Sequence, residues 1–363
     1  MKRVLLVVGT RPNFIKITQF PKEFAKYPLL DLHIVHTGQH FDDKMSTVFF
    51  EQFGFKPHTF LNVEQGSPNS QIANIMLGIE KTINNYKPDL VVVVGDVNST
   101  FAAAFAANKM GVKIAHVESG LRSNDRTMPE EFNRILTDEV ANLFFVTEKS
   151  GYDNLVKEGK STRNIHFVGN TMIDTMVAFK DNIEASDVLS RYSLESKKYV
   201  LMTMHRPATV DNKEGLLKLI ELVQHASAKY KVVFPIHPRT VKNMKEMGLD
   251  SAFNDNPNLI LTDPLDYFSF QKLVKYANFI LTDSGGIQEE STFLKVPCLT
   301  FRPNTERPIT ISLGTNELIP FDMEEIKRHI NLIEINAFKE GEIPPFWDGH
   351  STERIVKVIS EAL

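Results

Sequence analysis

Short aliphatic runs, each followed by a stretch of helix length, recur along this 363-residue chain, and the series is played through twice. VLLVV (4–8), DLHIVHT (31–37), LVVVV (90–94), KIAHV (113–117), LFFVT (143–147) and IHFVG (165–169) make the first series. YVLMTMH (199–205), KVVFPIH (231–237), NLILTD (258–263), FILTD (279–283) and PCLTF (297–301) make the second. Most of these runs are continuously apolar instead of alternating. A strand of that kind is buried on both faces, as parallel strands are when helices cross both sides of their sheet. Helical patterns fall at 98–109, 129–142, 213–229, 266–277 and 285–294. The expected class is therefore α/β, with two doubly wound parallel-sheet domains. The first is placed at 1–172 and the second at 173–345, because VGNTMIDTMVAFKDNIEASDVLS reads as a connecting helix. The last segment, 346–363, holds HSTERIVKVISEAL, which opens on a Ser/Thr cap and is expected to return to the first domain as a helix. Sheets of this type bind ligands beyond the carboxyl ends of their strands, so the two domains are expected to face a central cleft.

Composition narrows the partners. Formal net charge is −4 and no Lys/Arg tract occurs, which argues against a nucleic-acid surface. The longest aliphatic run, LVVVV, is far too short to span a bilayer, and the apolar part of MKRVLLVVGT is too short for a signal peptide. A cytoplasmic protein without membrane contact is expected. The single cysteine, Cys298 in VPCLTF, reads as a buried thiol in a reducing compartment. His33, His36 and His40 in HIVHTGQH do not share one face of a strand, and neither CxxC nor HExxH occurs, so no metal is expected.

Chemical residues collect where strands end. After the first strand comes GTRPNFIK: Gly9 lets the chain turn, Pro12 suits a helix start, and Arg11 and Lys16 bring positive charge. The segment is neither GxGxxG nor GxxxxGK[ST]. Asp96 in LVVVVGDVNST follows a buried strand, with Asn98, Ser99 or Thr100 available to cap the next helix, and Glu118 in HVESGLRS follows His116 in the same way. Carboxylates there are costly to bury unless paired, so their surroundings are polar or functional. In TMPEEFNRILTDEVANLFF, Pro129 fits a first helical turn, and Phe132, Ile135, Leu136, Val140 and Leu143 form one apolar stripe. Glu130 falls on the opposite face, four residues from Arg134, where the two can pair. In the second half, His205 and Arg206 close one strand, and His237 with Arg239 closes another. Histidine is the side chain most easily tuned to titrate near neutral pH.

LTDSGGIQEEST (281–292) is the most specific stretch. Ser284 suits an N-cap, and Gly285 and Gly286 leave backbone N–H groups uncovered at a helix start, which suits phosphate. Glu290, one turn behind, would repel a phosphate in contact with it but can accept hydrogen bonds from vicinal hydroxyls. A phosphate beside a ribose is a nucleotide. Arg307 in TERP is a further phosphate partner, and Phe270 in DYFSFQ offers a surface to a base.

Taken together, GTRPNFIK, TGQHFDDKM, VGDVNST, HVESGLRSNDRTMPEEFNR, MTMHRP and DSGGIQEE followed by TERP resemble the non-hydrolysing UDP-N-acetylglucosamine 2-epimerases, over about residues 3–320. The resemblance implies a GT-B fold of two Rossmann-like domains, a homodimer, a UDP-sugar substrate and no cofactor. It implies that Ser284, Gly285 and Gly286 hold the UDP phosphates, with Arg11 and Arg307 at the diphosphate, Glu290 on the ribose and Phe270 near the uracil. It also implies Asp96, Glu118 and Glu130 as the acidic catalytic set, with Lys16 and a catalytic His205 close to the sugar and diphosphate, Arg206 among the UDP-binding residues and His237 at a nucleotide-sugar position. The family chemistry breaks the anomeric C1–O bond, forms a 2-acetamidoglucal and adds UDP back. This chain departs from the pattern at Asn13 and Phe14 after GTRP and at Asp42 and Asp43 after TGQH, where regulated members carry glutamines. The rival reading is a GT-B glycosyltransferase with a UDP-sugar donor.

Overall fold

The computed structural model describes residues 1–39, 50–64, 66–254 and 256–363. They form two units, Met1–Ala178 with Pro345–Leu363, and Phe179–Pro344. The first is built on seven strands: β1 (Lys2–Val8), β2 (Leu30–His36), β3 (Thr59–Phe60), β4 (Leu90–Val94), β5 (Lys113–Val117), β6 (Leu143–Val146) and β7 (Ile165–Phe167). All pair in parallel, in the order β3-β2-β1-β4-β5-β6-β7. Every residue of β4 is buried, as its unbroken aliphatic run requires. On one face lie the Pro68–Tyr86 and Asn98–Lys109 helices. Five buried alanines of the second helix let it pack closely into the apolar core beside β1 and β4.

Residues 345–363 belong to this first unit. Trp347 is buried and its indole N–H donates to the Thr147 carbonyl at 3.1 Å. The Ser351–Ala362 helix is not capped by its own Ser or Thr side chains. Asp174, on the Thr171–Ala178 helix, accepts instead from Ser351 N (3.0 Å), Thr352 N (2.5 Å) and Thr352 Oγ1 (2.7 Å). A carboxylate at a helix start satisfies orphan N–H groups and meets the positive end of the helix dipole.

The second unit holds β8 (Tyr199–Thr203), β9 (Lys231–Pro235), β10 (Leu259–Thr262), β11 (Phe279–Thr282), β12 (Cys298–Thr300) and β13 (Asn316–Leu318), again parallel, in the order β10-β9-β8-β11-β12-β13. Apolar clusters cover both faces of its sheet. Cys298 is buried in one of them, and burial pushes its thiol up to about 11. Counted within each unit, both orders run 3-2-1-4-5-6, the Rossmann arrangement, with a seventh strand added beyond the sixth in the first unit. The order reverses between the first and fourth strands, β1/β4 and β8/β11, and there the strands' carboxyl ends open a crevice. The two edge strands β3 and β13 were not expected from the sequence, because two or three residues are too few to show a period. No helix among the described residues is long and apolar enough to cross a membrane.

Candidate active site

Each unit gathers polar side chains at its own switch point. In the first unit, the chain leaves β1 through Gly9 and enters the Arg11–Ile15 helix with Pro12 in its first turn. Gly9 is required for space and not for the turn anticipated: a Cβ there would sit 2.0 Å from Ser99 Oγ and 2.8 Å from Thr37 Oγ1. Arg11 is half-buried, and Lys16 is buried one turn on. Lys16 Nζ meets Glu118 Oε2 at 2.6 Å, with both side chains almost fully buried. Glu118 leaves β5 in the left-handed region (φ 69°), as does Gly95 after β4 (φ 69°). Gly95 packs against the ion pair, since a Cβ there would lie 3.3 Å from Lys16 Nζ and 3.6 Å from Glu118 Oε2. A buried ion pair of this kind is a weak source of stability.

Asp96 follows Gly95 and is a quarter exposed. Arg134 clamps its Oδ2 through Nε (3.0 Å) and Nη2 (2.7 Å), and Asn133 Nδ2 donates to its carbonyl at 2.9 Å. None of Asn98, Ser99 or Thr100 caps the next helix, whose N-cap is Val97. Ser99 Oγ donates to Gln39 Oε1 and Thr100 Oγ1 to the Val94 carbonyl, so they tie the helix start to the loop after β2 and to the end of β4.

The Pro129–Val140 helix corrects the amphipathic reading. Its buried residues are Glu131, Asn133, Arg134, Thr137 and Asp138, whereas Phe132 and Leu136 are 45% and 42% exposed. The predicted Glu130–Arg134 pair does not form. Arg134 Nη1 takes Glu131 at 2.6 Å, and Glu130, half-buried, has no ion-pair partner among the described residues. Glu131 also accepts from Ser123 N, Ser123 Oγ and Asn124 N at 2.9–3.0 Å. Burial works against its charge, but these donors and Arg134 hold its carboxyl below the usual range. Glu131 fixes the loop after β5, a role the sequence reading missed although Glu131 and Arg134 stand three apart.

In the second unit β8 and β11 end side by side, with Thr203 Oγ1 2.7 Å from Thr282 Oγ1. Asp283, fully buried, is the hub. It accepts from His205 N and Arg206 N, and His205 Nδ1 lies 3.0 Å from Oδ1. Burial opposes its ionised form, yet His205 and the two backbone N–H groups keep the Asp283 carboxyl below its ordinary value. Arg206 Nε donates to the Asp283 carbonyl at 2.8 Å. With Nδ1 turned to the carboxylate, His205 presents Nε2 outward, its side chain 41% exposed. His237 stands 5.9 Å away, ring to ring, and caps the Pro238–Glu246 helix by accepting from Arg239 N. Burial and the His205 charge lower its pKa.

The Gly286–Phe293 helix starts directly after this hub, with Gly285 as N-cap. Ser284, expected to cap, makes no side-chain cap bond, because the turn carries Gly285 to the cap position; its own N–H donates to Thr282 Oγ1. Among the described residues, the N–H groups of Gly285, Gly286 and Ile287 meet no acceptor. A Cβ on Gly285 would lie 3.1 Å from Glu306 Oε1, 3.4 Å from Arg302 Nη1 and 3.7 Å from Arg307 Nη1. Arg307 is held beneath this turn by Glu306 and by Glu289 (2.7 Å), and Arg302 by Glu306 (3.0 Å). Arg302, Glu306 and Asp283 were not singled out from the sequence. Glu290 is buried and takes a 2.5 Å bond from Gln271 Nε2, next to the half-buried Phe270. Burial, reinforced by Glu289 and only partly offset by Gln271, pushes Glu290 up to about 8.

His33 Nε2 sits 2.8 Å from Thr59 Oγ1, and His36 Nδ1 accepts from Gly38 N, so the two engage separate partners. His40, Asp42 and Asp43 lie outside the described residues. Among the described residues no group of three His, Cys, Asp or Glu side chains is placed to hold a metal ion.

The sequence profile of a family described as UDP-N-acetylglucosamine 2-epimerase matches residues 22–360. UDP-N-acetylglucosamine 2-epimerase of Methanococcus maripaludis is 38% identical over 366 residues, covering 99% of this chain and 98% of that protein. UDP-2,3-diacetamido-2,3-dideoxy-D-glucuronate 2-epimerase of Pseudomonas aeruginosa is 37% identical over 322 residues, covering 87% of this chain and 88% of that one. The crystal structure of Methanocaldococcus jannaschii UDP-GlcNAc 2-epimerase in complex with UDP-GlcNAc and UDP superposes with a TM-score of 0.89 at 38% identity, covering 99% of this chain and 100% of that chain.

Proposed function

The chain belongs to the UDP-N-acetylglucosamine 2-epimerase family, and from that premise we propose that it interconverts UDP-GlcNAc and UDP-ManNAc by eliminating UDP and adding it back. The C2 proton of an N-acetylhexosamine is not acidic enough for direct removal. Cleaving C1–O first places positive charge at C1. Loss of the C2 proton then gives 2-acetamidoglucal, and re-addition of UDP with C2 protonated from the other face completes the inversion. Such a route calls for cations and N–H donors at the departing diphosphate and for acids at the sugar. Ser284, the N–H groups of Gly285 and Gly286, Arg11, Lys16, Arg206 and Arg307 are read as serving the diphosphate, with His205 and His237 beside it. Glu290 is read as binding the ribose and Phe270 the base. Asp96, Glu118 and Glu130 are read as supplying base, acid and cation stabilisation.

The observation that carries this reading is the buried Lys16–Glu118 pair beside Gly95 and Asp96. A glycosyltransferase needs a nucleotide seat but has no call for that set of acids. Incubation with UDP-GlcNAc alone in deuterated buffer tests it, followed by NMR. UDP-ManNAc should appear with deuterium at C2. Release of free sugar, or UDP-GlcNAc left unchanged while the diacetamido-glucuronate nucleotide epimerises, would reassign the reaction or the substrate.

We also read the chain as a homodimer that covers the outer face of the Pro129–Val140 helix, where Phe132 and Leu136 stand exposed. Sedimentation velocity should show a dimer, and Phe132→Asp with Leu136→Asp should give a monomer. A wild-type monomer at micromolar concentration removes this reading.

A further inference from the structure

His116 is fully buried in β5, and both of its ring nitrogens face oxygen. Nε2 lies 2.8 Å from the Gly95 carbonyl and Nδ1 2.6 Å from Asp138 Oδ1. A carbonyl can only accept, so Nε2 carries a proton. Asp138 receives the Gly120 N–H at 3.0 Å and the Arg122 guanidinium at 2.7 Å on its other oxygen, and these donors with His116 hold its carboxyl below the usual range against its burial, so the proton of the short bond is assigned to Nδ1. Arg122 is balanced in turn by Glu158, through Nε at 2.9 Å and Nη2 at 2.7 Å. Two cations and two anions thus close a neutral chain that runs from the buried His116 to Glu158 at the surface.

From this geometry we propose that His116 is a standing imidazolium that acts as a positioning residue for the acid cluster. It joins three segments: the turn at Gly95, the strand leading into Glu118, and the helix that bears Glu130 and Arg134. Gly95 has a positive φ and no side chain; its N–H is tied to the Val117 carbonyl at 3.0 Å, its carbonyl is met by His116, and Asp96 comes next. The Gly95 carbonyl is pinned by a charged donor, which makes a stronger bond than a neutral one. The titratable and charged groups around His116 are Asp138, Arg122 and Glu158, and beyond Gly95 the Lys16–Glu118 pair. This inference rests on the reading that Asp96 and Glu118 act on the substrate.

The test has two arms. Neutron diffraction from deuterium-exchanged wild-type crystals grown near neutral pH should show deuterium on both ring nitrogens of His116. A bare nitrogen at either position overturns the proposal without a variant having to fold. In the second arm, His116→Gln can satisfy only one of the two acceptors. It should lower kcat at least about tenfold with KM changed less than about threefold, and should displace the pH–rate profile. A kcat and profile like those of wild type overturn the positioning role. If that happens while Glu118→Gln remains inactive, His116 is acquitted and the proposed function stands. If Glu118→Gln is also active, the failure lies in the proposed function.

Discussion

Glu118→Gln is expected to lower kcat by about 10²–10⁴-fold, the range in which a positioned acid or base usually contributes, while UDP binds with nearly wild-type affinity. Glutamine keeps the side-chain length and an oxygen for Lys16, but it cannot exchange a proton. Removing one partner of a buried pair leaves the other charge uncompensated, at a cost of about 3–5 kcal/mol. Thermal unfolding must therefore accompany the assay, and the rate is compared at a temperature where the variant is folded. Asp96→Asn is expected to fall in the same range, although it also loosens the clamp from Arg134. Deuterium exchange at C2 separates the two contributions: loss of exchange together with loss of turnover marks a proton-transfer defect. Near-normal turnover in both variants would remove the acids from the chemistry.

The second large effect concerns Glu290. Its carboxyl is raised from 4.5 to about 8 by burial, so in the free protein it is mainly protonated at neutral pH. A carboxylate accepting two ribose hydroxyls favours the ionised form. UDP binding should therefore release close to one proton below that value and none well above it. Affinity should weaken up to about tenfold for each pH unit below about 8, as linkage requires. Calorimetry in buffers of different ionisation enthalpy reads the proton count directly. Glu290→Gln should abolish the release and weaken UDP by about 10²-fold or more, since hydrogen bonds to a charged group are worth about 1.5–3 kcal/mol each. The sign for folding is opposite: protonated Glu290 favours the folded chain, and that contribution is lost as pH rises from 4.5 through about 8. Proton-independent binding, or full affinity in the Gln variant, would exclude a ribose role.

Much of the architecture was legible because buried parallel strands advertise themselves. A run such as LVVVV has no polar face to offer water, and it became β4 with every residue buried. The Pro129–Val140 helix shows the limit of the same logic. Its apolar stripe is outside because Glu131, Arg134 and Asp138 each find partners from distant segments, at Ser123, Asp96 and His116. A helical wheel registers periodicity but not the partners waiting for a charge. Gly9 is similar: it looks like a turn residue, and its need for a missing Cβ comes from Ser99, ninety positions away. The helix start at Gly285 was readable from its glycines. The hub at Asp283 was not, because its three donors come from a neighbouring strand end nearly eighty residues earlier.

The tail that Asp174 holds has a bearing on biogenesis. The first unit is discontinuous, begun by residues 1–178 and finished by 345–363, whereas the second is a single unbroken stretch. On the ribosome, the earlier-synthesised unit must wait for residues 345–363 to emerge before its closing helix can dock. The later one has its whole sequence available first. Vectorial synthesis, which ordinarily rewards the N-terminal domain with the earliest maturation, here gives that advantage to the second.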